Sequence, residues 1–249
     1  MRPRYGLNNH TRQNWWGLVL VAVTCGGLQA REVPHVDGPA NVATQSVHDE
    51  AMRILNNIRT TVYQHNTEID ESEGVYRCDC SGFVGYVLSR SMGKNDQKGP
   101  LSDGRKRPLA MDYEKFFAAA PSKADGTARW QHVVRIADAL PGDVIAWRHE
   151  KPMPGNTGHV VIVDQRPVLE KEGIVRVVVI DSTTRPQVDD TRARGTSGIG
   201  RGTMWFTIDD EGRPIGHIRG SRTSKPKIES ISVGRALPAA KKPAARRAA

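Results

Sequence analysis

The chain has 249 residues, 38% hydrophobic and 25% charged, enough for one medium domain with appendages. Its net charge of +9 sits at the ends: +3 before residue 31 and +7 from Ser221 onward, leaving −1 for residues 31–220. A near-neutral centre argues against a dedicated nucleic-acid-binding surface, and three cysteines are too few for an exported disulfide framework.

Residues 1–30 read as an export signal. An Arg-bearing start leads into the apolar run Trp15–Val23, then small and polar residues to Ala30, after which cleavage is expected. The run is too short for a confident membrane span, which needs about 20 residues. A lipoprotein ending at Cys25 and an uncleaved anchor are the alternatives. Residues 31–45 form an extended leader. Ser46 then starts an amphipathic helix, with Asp49 as its capping-box partner and Val47, Ala51, Ile54, Leu55, Ile58 and Val62 on one face. His48 and His65 fall off that stripe, toward solvent. The acidic stretch 68–74 is expected to be a loop.

The stretch Tyr76-Arg-Cys-Asp-Cys-Ser-Gly-Phe-Val84 carries the chemistry. Asp79 is a good N-cap, and Phe83, Val84, Val87 and Leu88 recur at helical spacing behind it. Cys80 thus falls in a helix's first turn, where free N–H groups and the helix dipole favour a thiolate. Cys78 lies outside the helix and has no assigned role. Structural zinc is not expected, because no second cysteine pair or HxxxH spacing exists.

Residues 91–138 are the least regular part, with one helix candidate at 111–120 and apolar residues around Trp130. Such an insertion could shape access to the nucleophile or only decorate the surface. From Leu140 the pattern turns to strands at 144–147, 158–164, 174–180 and 203–208, with Pro141-Gly-Asp143 as a turn. Helices first and an antiparallel sheet afterwards imply an α+β fold. Residues 221–249, rich in Lys, Arg, Pro and Ala at their end, are expected to be a disordered basic tail.

A thiol nucleophile needs a base, and the base an orienting group. His159 opens one strand and Asp181 closes the next long one. If those strands form a hairpin, residues 159 and 181 face each other across a turn centred near 170, close to Leu169–Gly173. Asp190 and Arg192 follow in a polar loop and could reach the cleft, although a surface ion pair is the favoured reading.

Asp79-Cys-Ser-Gly-Phe-Val84, Pro141-Gly-Asp-Val-Ile145 and Gly158-His-Val-Val-Ile162, in that order, resemble the NlpC-type cell-wall cysteine peptidases and the broader CHAP-type amidases. The likeness covers roughly residues 46–210. It implies a papain-like core of helices packed on a small antiparallel sheet over 46–220, no cofactor, and attack on an amide bond in peptidoglycan stem peptides. Cys80 would be the nucleophile, His159 the base and Asp181 the third polar residue, a position more often His, Asn or Gln in that family. Tyr76, Ser81 and Gly158 are assigned to substrate contact, with packing equally open for Tyr76. The expectation is an exported, periplasmic or extracellular monomer, with anionic envelope polymers as partners of the tail. A thiol acyltransferase and a non-catalytic envelope-binding module are the competing readings.

Overall fold

Asn41 starts the first helix. Its side chain accepts hydrogen bonds from the backbone N–H groups of Ala43 and Thr44, and its own N–H donates to Thr44 Oγ1 at 3.0 Å. Two donors of the open helix end are thereby satisfied reciprocally. This places α1 at Val42–Asn57, four residues earlier than the Ser46 start expected from sequence, and shortens the leader. Ser46 instead donates to Val42 O inside the helix. Val47, Ala51 and Ile54 are buried as expected, whereas Val62 lies beyond the helix and half-exposed. The computed structural model describes residues 38–92, 107–170 and 173–239, so the expected signal and the last ten residues lie outside the described part.

After α1 comes a three-stranded sheet of β1 (Thr60–Val62), β2 (Glu68–Asp70) and β3 (Val75–Arg77), in the order β1-β3-β2. The acidic stretch is therefore a hairpin rather than a loop. Asp70 makes the turn by accepting from the backbone N–H groups of Ser72 and Glu73, an Asx turn. Strand β3 delivers the chain to α2 (Cys80–Ser91). Helix α3 (Ala110–Ala119) and the short strand β4 (Trp130–His132) follow.

The main sheet adds β5 (Val144–Met153), β6 (Asn156–Val163), β7 (Val168–Leu169), β8 (Ile174–Thr183), β9 (Gly198–Ile208), β10 (Pro214–Ile218), β11 (Lys227–Ile228) and β12 (Ser230–Ala236). Its order is β11-β10-β9-β8-β6-β5-β12-β4, antiparallel throughout, with β7 paired to β8. The sequence runs of β5, β6 and β8 are nearly unbroken Val and Ile because both faces of these strands are covered. Val144, Ala146, Val160, Ile162 and Ile180 pack toward the three helices. Their neighbours Ile145, Trp147, Val161, Val163 and Val179 pack into a second core with Met204 and Phe206. Trp147 meets Phe206 at a ring separation of 6.0 Å although their strands are not neighbours, so the sheet curls around this second core. The chain is thus a mixed α+β structure with three α-helices and a curled antiparallel sheet among the described residues. None of those helices is long and apolar enough to cross a membrane.

One open alternative is narrowed here and one sequence expectation needs correction. The described part of the insertion, residues 107–138, is more than decoration: Tyr113 and Phe117 of α3 are buried in the helix-side core, and β4 extends the main sheet. The segment from Ser221 is not a disordered tail throughout. Its Lys227–Ile228 stretch pairs with β10, Glu229 N–H donates to Ile215 O, and the chain then passes directly into β12 between β5 and β4. One ten-residue run so links the two ends of the curled sheet. Asp143 does fix the turn as expected, accepting from Leu140 N–H at 2.9 Å, and it also pairs with Arg235 of β12 at 2.7 Å.

Val233 of β12 is fully buried, and β12 has ladder partners on both sides. Deleting residues 230–249 is expected to remove the cooperative unfolding transition followed by circular dichroism. A surface tail could be deleted with the midpoint unchanged.

Candidate active site

The start of α2 is built by Asp79. This residue is the N-cap, with extended backbone, and its Oδ1 accepts from Gly82 N–H at 2.7 Å while its carbonyl accepts from Phe83 N–H at 2.9 Å. The N–H groups of Cys80 and Ser81 precede these and have no helical acceptor, so they face outward from the positive end of the helix. Cys80 is the first helical residue and is buried apart from a small exposed fraction. It is a free thiol, as is Cys78.

His159 and Asp181 meet as the hairpin reading expected, with a different register. The observed pairs Ile162↔Ile180 and Val163↔Val179 centre the connection one residue later, at 171. Residues 159 and 181 are therefore diagonal neighbours, two positions off register, and an offset of two preserves the face on which side chains point. His159 Nε2 lies 2.8 Å from Asp181 Oδ2. The imidazole is also close enough to the Cys80 side chain for that group's charge to act on it. With Nε2 engaged by the carboxylate, Nδ1 is the nitrogen left for sulfur. Burial disfavours the imidazolium, but the charge of Cys80 and the hydrogen bond to Asp181 outweigh it and raise the His159 pKa to about 9.

Asp181 is fully buried, and burial by itself would favour its neutral form. The hydrogen bond from His159 and the charge of Arg192 reverse that and hold its pKa at about 2. Arg192 Nη2 donates to Asp181 Oδ1 at 2.8 Å, and Gln187 Nε2 donates to Oδ2 at 2.9 Å. Arg192 also bonds Asp190, whose Oδ2 in turn accepts from Gln187 N–H at 2.6 Å. Asp190 and Arg192 thus form no surface ion pair, as the sequence suggested; they lie buried against the third residue of the triad. Gly200 makes this feasible, since a Cβ there would come within 2.5 Å of Arg192 Nε.

Other expected site residues stand differently. Tyr76 is completely buried in the helix-side core and does not reach the cleft, which corrects its assignment to substrate. Ser81 is also buried: it donates to Asp79 Oδ1 and accepts from Arg107, which bonds Asp79 Oδ2 at 2.7 Å as well. Its visible role is to brace the N-cap. Gly158 does line the cleft, and its φ of +148° with Trp147 O 1.9 Å from an ideal Cβ position excludes any side chain. His48 and His65 are not simply solvated, since His48 Nε2 meets Asp164 Oδ1 at 3.0 Å and His65 Nδ1 meets Asp79 Oδ2 at 3.3 Å. Burial and the charge of Asp79 raise the pKa of Cys78 to about 12, so that thiol stays protonated and the two cysteines are chemically separate.

A cleft of about 520 Å³ opens beside His159, a size suited to a small ligand or a short peptide segment. Tyr63, His65, Trp147, Thr183, His217 and Arg219 are among its walls. Sequence reasoning assigned none of these a role in the site, because they come from four separated places in the chain. Trp147 neighbours both His159 and His217, with ring separations of 5.0 and 4.7 Å. A larger concavity of about 680 Å³ near Glu114 and Arg148 holds none of the triad residues.

No family model matches the chain, and no solved structure matches it. It is similar to an uncharacterized protein of Acanthamoeba polyphaga mimivirus, 27% identical over 180 residues that cover 63% of this chain and 76% of the relative.

The charge network has stability consequences of opposite sign. His159 has a raised pKa, so its contribution is full below the ordinary value of 6.5 and is lost as pH rises through about 9. Asp181 has a lowered pKa, so its contribution is present above 3.8 and is lost as pH falls toward about 2. Because the Cys80 charge is the largest factor raising His159, Cys80→Ala is expected to lower the His159 pKa by about a unit or more. Imidazole titration by NMR checks this. Arg192→Met leaves two buried carboxylates without their cation and is expected to cost about 3–5 kcal/mol in urea unfolding.

Proposed function

We propose that the chain is a thiol amidohydrolase of the NlpC type with a papain-like core, acting on peptide amides of the bacterial wall. The observation that carries this reading is the His159 ring held by Asp181 close to Cys80 at the N-terminus of a helix. The resemblance of the Asp79–Val84, Pro141–Ile145 and Gly158–Ile162 segments supplies the reaction class and substrate; the arrangement of side chains is what that chemistry requires.

In the reaction, Cys80 sulfur attacks the amide carbonyl carbon, and the carbonyl oxygen takes up negative charge. The N–H groups of Cys80 and Ser81 are the donors at the helix start for that oxyanion. Collapse breaks the C–N bond, and His159 Nδ1 passes its proton to the leaving amine. This leaves a thioester on Cys80. Water then adds to the thioester carbonyl while His159 accepts its proton, and the carboxylic acid leaves with the thiolate restored. Asp181 keeps Nε2 protonated and so directs Nδ1 to the sulfur. Cys78, protonated and buried, takes no part.

The associated setting is an exported protein that works without a cofactor, as a monomer, in the cell envelope. Asp serves in the third position because Arg192 and Gln187 share its charge, which a neutral Asn or Gln would not require.

Wall sacculi incubated with wild type are expected to release peptide fragments bearing new amine and carboxyl ends, detected by mass spectrometry. Cys80→Ala and His159→Ala should each lower release by at least about 10³-fold while leaving the unfolding transition intact. Undiminished release by Cys80→Ala would sink the reading, and products conjugated to an added amine would reassign it to acyl transfer.

A further inference from the structure

The walls of the cleft beside His159 have a one-sided charge. Among its fourteen lining residues are Arg219, Lys225, Lys227 and four histidines, and not one Asp or Glu. Arg219 belongs to residues 31–220, which together carry −1, whereas Lys225 and Lys227 come from the basic segment after Ser221. These charges are partly fixed in place. Arg219 donates to Thr183 Oγ1, at the end of the strand that carries Asp181. Lys227 Nζ and His149 Nδ1 both lie 2.6 Å from Glu229 Oε1, whose side chain is 1% exposed. Glu229 therefore holds two cleft-wall groups from behind without presenting its own charge to the cleft. Of the other carboxylates that touch wall residues from behind, Asp79 at His65 is paired with Arg107, and Asp181 at His159 shares Arg192 with Asp190, so the three permanent cations of the wall are only partly offset. His217, also in the wall, has its pKa lowered to about 4 by burial, so near neutral pH it is an uncharged hydrogen-bonding group. Concave walls of one sign with low-dielectric surroundings concentrate counter-charged solutes far more than scattered surface lysines do.

We infer that this cleft is a subsite for an anionic substituent, a carboxylate or phosphate, carried by the substrate close to the bond that Cys80 attacks. The inference rests on the thiol reading above and adds what the cleft selects. Arg219 and Lys227 meet the anion, Lys225 adds long-range attraction, and the uncharged amide partner of the same shape is the disfavoured ligand. Strands and loops on the far side of the sheet build it: Arg219 follows β10, and Lys225 and Lys227 lie at β11. This gives the basic residues after Ser221 a specific place, apart from any tail.

The experiment compares alkylation of Cys80 in the intact chain by iodoacetate and by iodoacetamide, with modification read by mass spectrometry. Both reagents are attacked by sulfur at the same iodomethylene carbon with loss of iodide and differ in charge, so their rate ratio reports the field at the sulfur. The ratio for wild type is expected to fall about 3- to 10-fold in Lys225→Gln/Lys227→Gln, in Arg219→Gln, and in wild type at high salt. Both lysines are exposed and Glu229 keeps His149 as a partner when Lys227 is replaced, and circular dichroism verifies that the variant is folded. A ratio equal in wild type and both variants overturns the anionic subsite. No modification of Cys80 by either reagent overturns the thiol reading itself, so the two failures are distinct. Protection of Cys80 by N-acetylalanine but not by N-acetylalaninamide supports a carboxylate, and protection by glycerol phosphate alone supports a phosphate.

Discussion

A buried carboxylate with three partners is the constraint around which the site is arranged. Asp181 has no exposed surface, and isolated burial of its charge would cost several kcal/mol. Arg192, Gln187 and His159 each take a share of that charge. The consequence for His159 is positional: a ring bonded at Nε2 to an immobile carboxylate can present only Nδ1 to the sulfur. The consequence for the loop 187–192 is that it must fold back onto the sheet. Its polar groups are consumed by Asp181 and by one another, and Gly200 leaves room for the guanidinium.

The second core depends on closure of the sheet. Trp147, Val161, Val179 and Phe206 alternate with the residues that face the helices, so each central strand contributes to two cores at once. Such strands need cover on both sides. The helices cover one side, and the curl of the sheet upon itself covers the other. The run from Lys227 to Ala236 secures that curl, and Arg235 ties it to Asp143 in the turn before β5. The cleft is a product of the same closure, since its cationic wall comes from β10, β11 and their connection.

The two cysteines show how two neighbouring residues acquire opposite chemistry. Cys78 ends an extended stretch, is entirely buried, and faces the charge of Asp79, all of which favour the protonated thiol. Cys80, two residues later, stands at a helix N-terminus close to an imidazole. Asp79 between them produces both outcomes: its side chain caps the helix, and its charge suppresses ionisation on the other side.

Local signals were enough for much of this. The N-cap at Asp79, the stripe of α1, the strands of the second half and the turn at Asp143 are legible because each depends on residues within a few positions. The pairing of His159 with Asp181 was legible because a hairpin conserves an index sum, and the two-residue discrepancy left both side chains on one face. Three features depended on the tertiary structure. Arg192 reached Asp181 across eleven positions through a loop with no periodicity. Tyr76, adjacent to the motif in sequence, is buried because it lies on the face of β3 opposite to that of Val75 and Arg77, and that face meets the core. Strand β12 lay in a segment whose composition reads as basic and solvated, although Ile231 and Val233 alternate with polar neighbours. Composition and spacing determine what a segment can do alone; partners distant along the chain decide which charges are buried together, and that settled the shape and sign of the cleft.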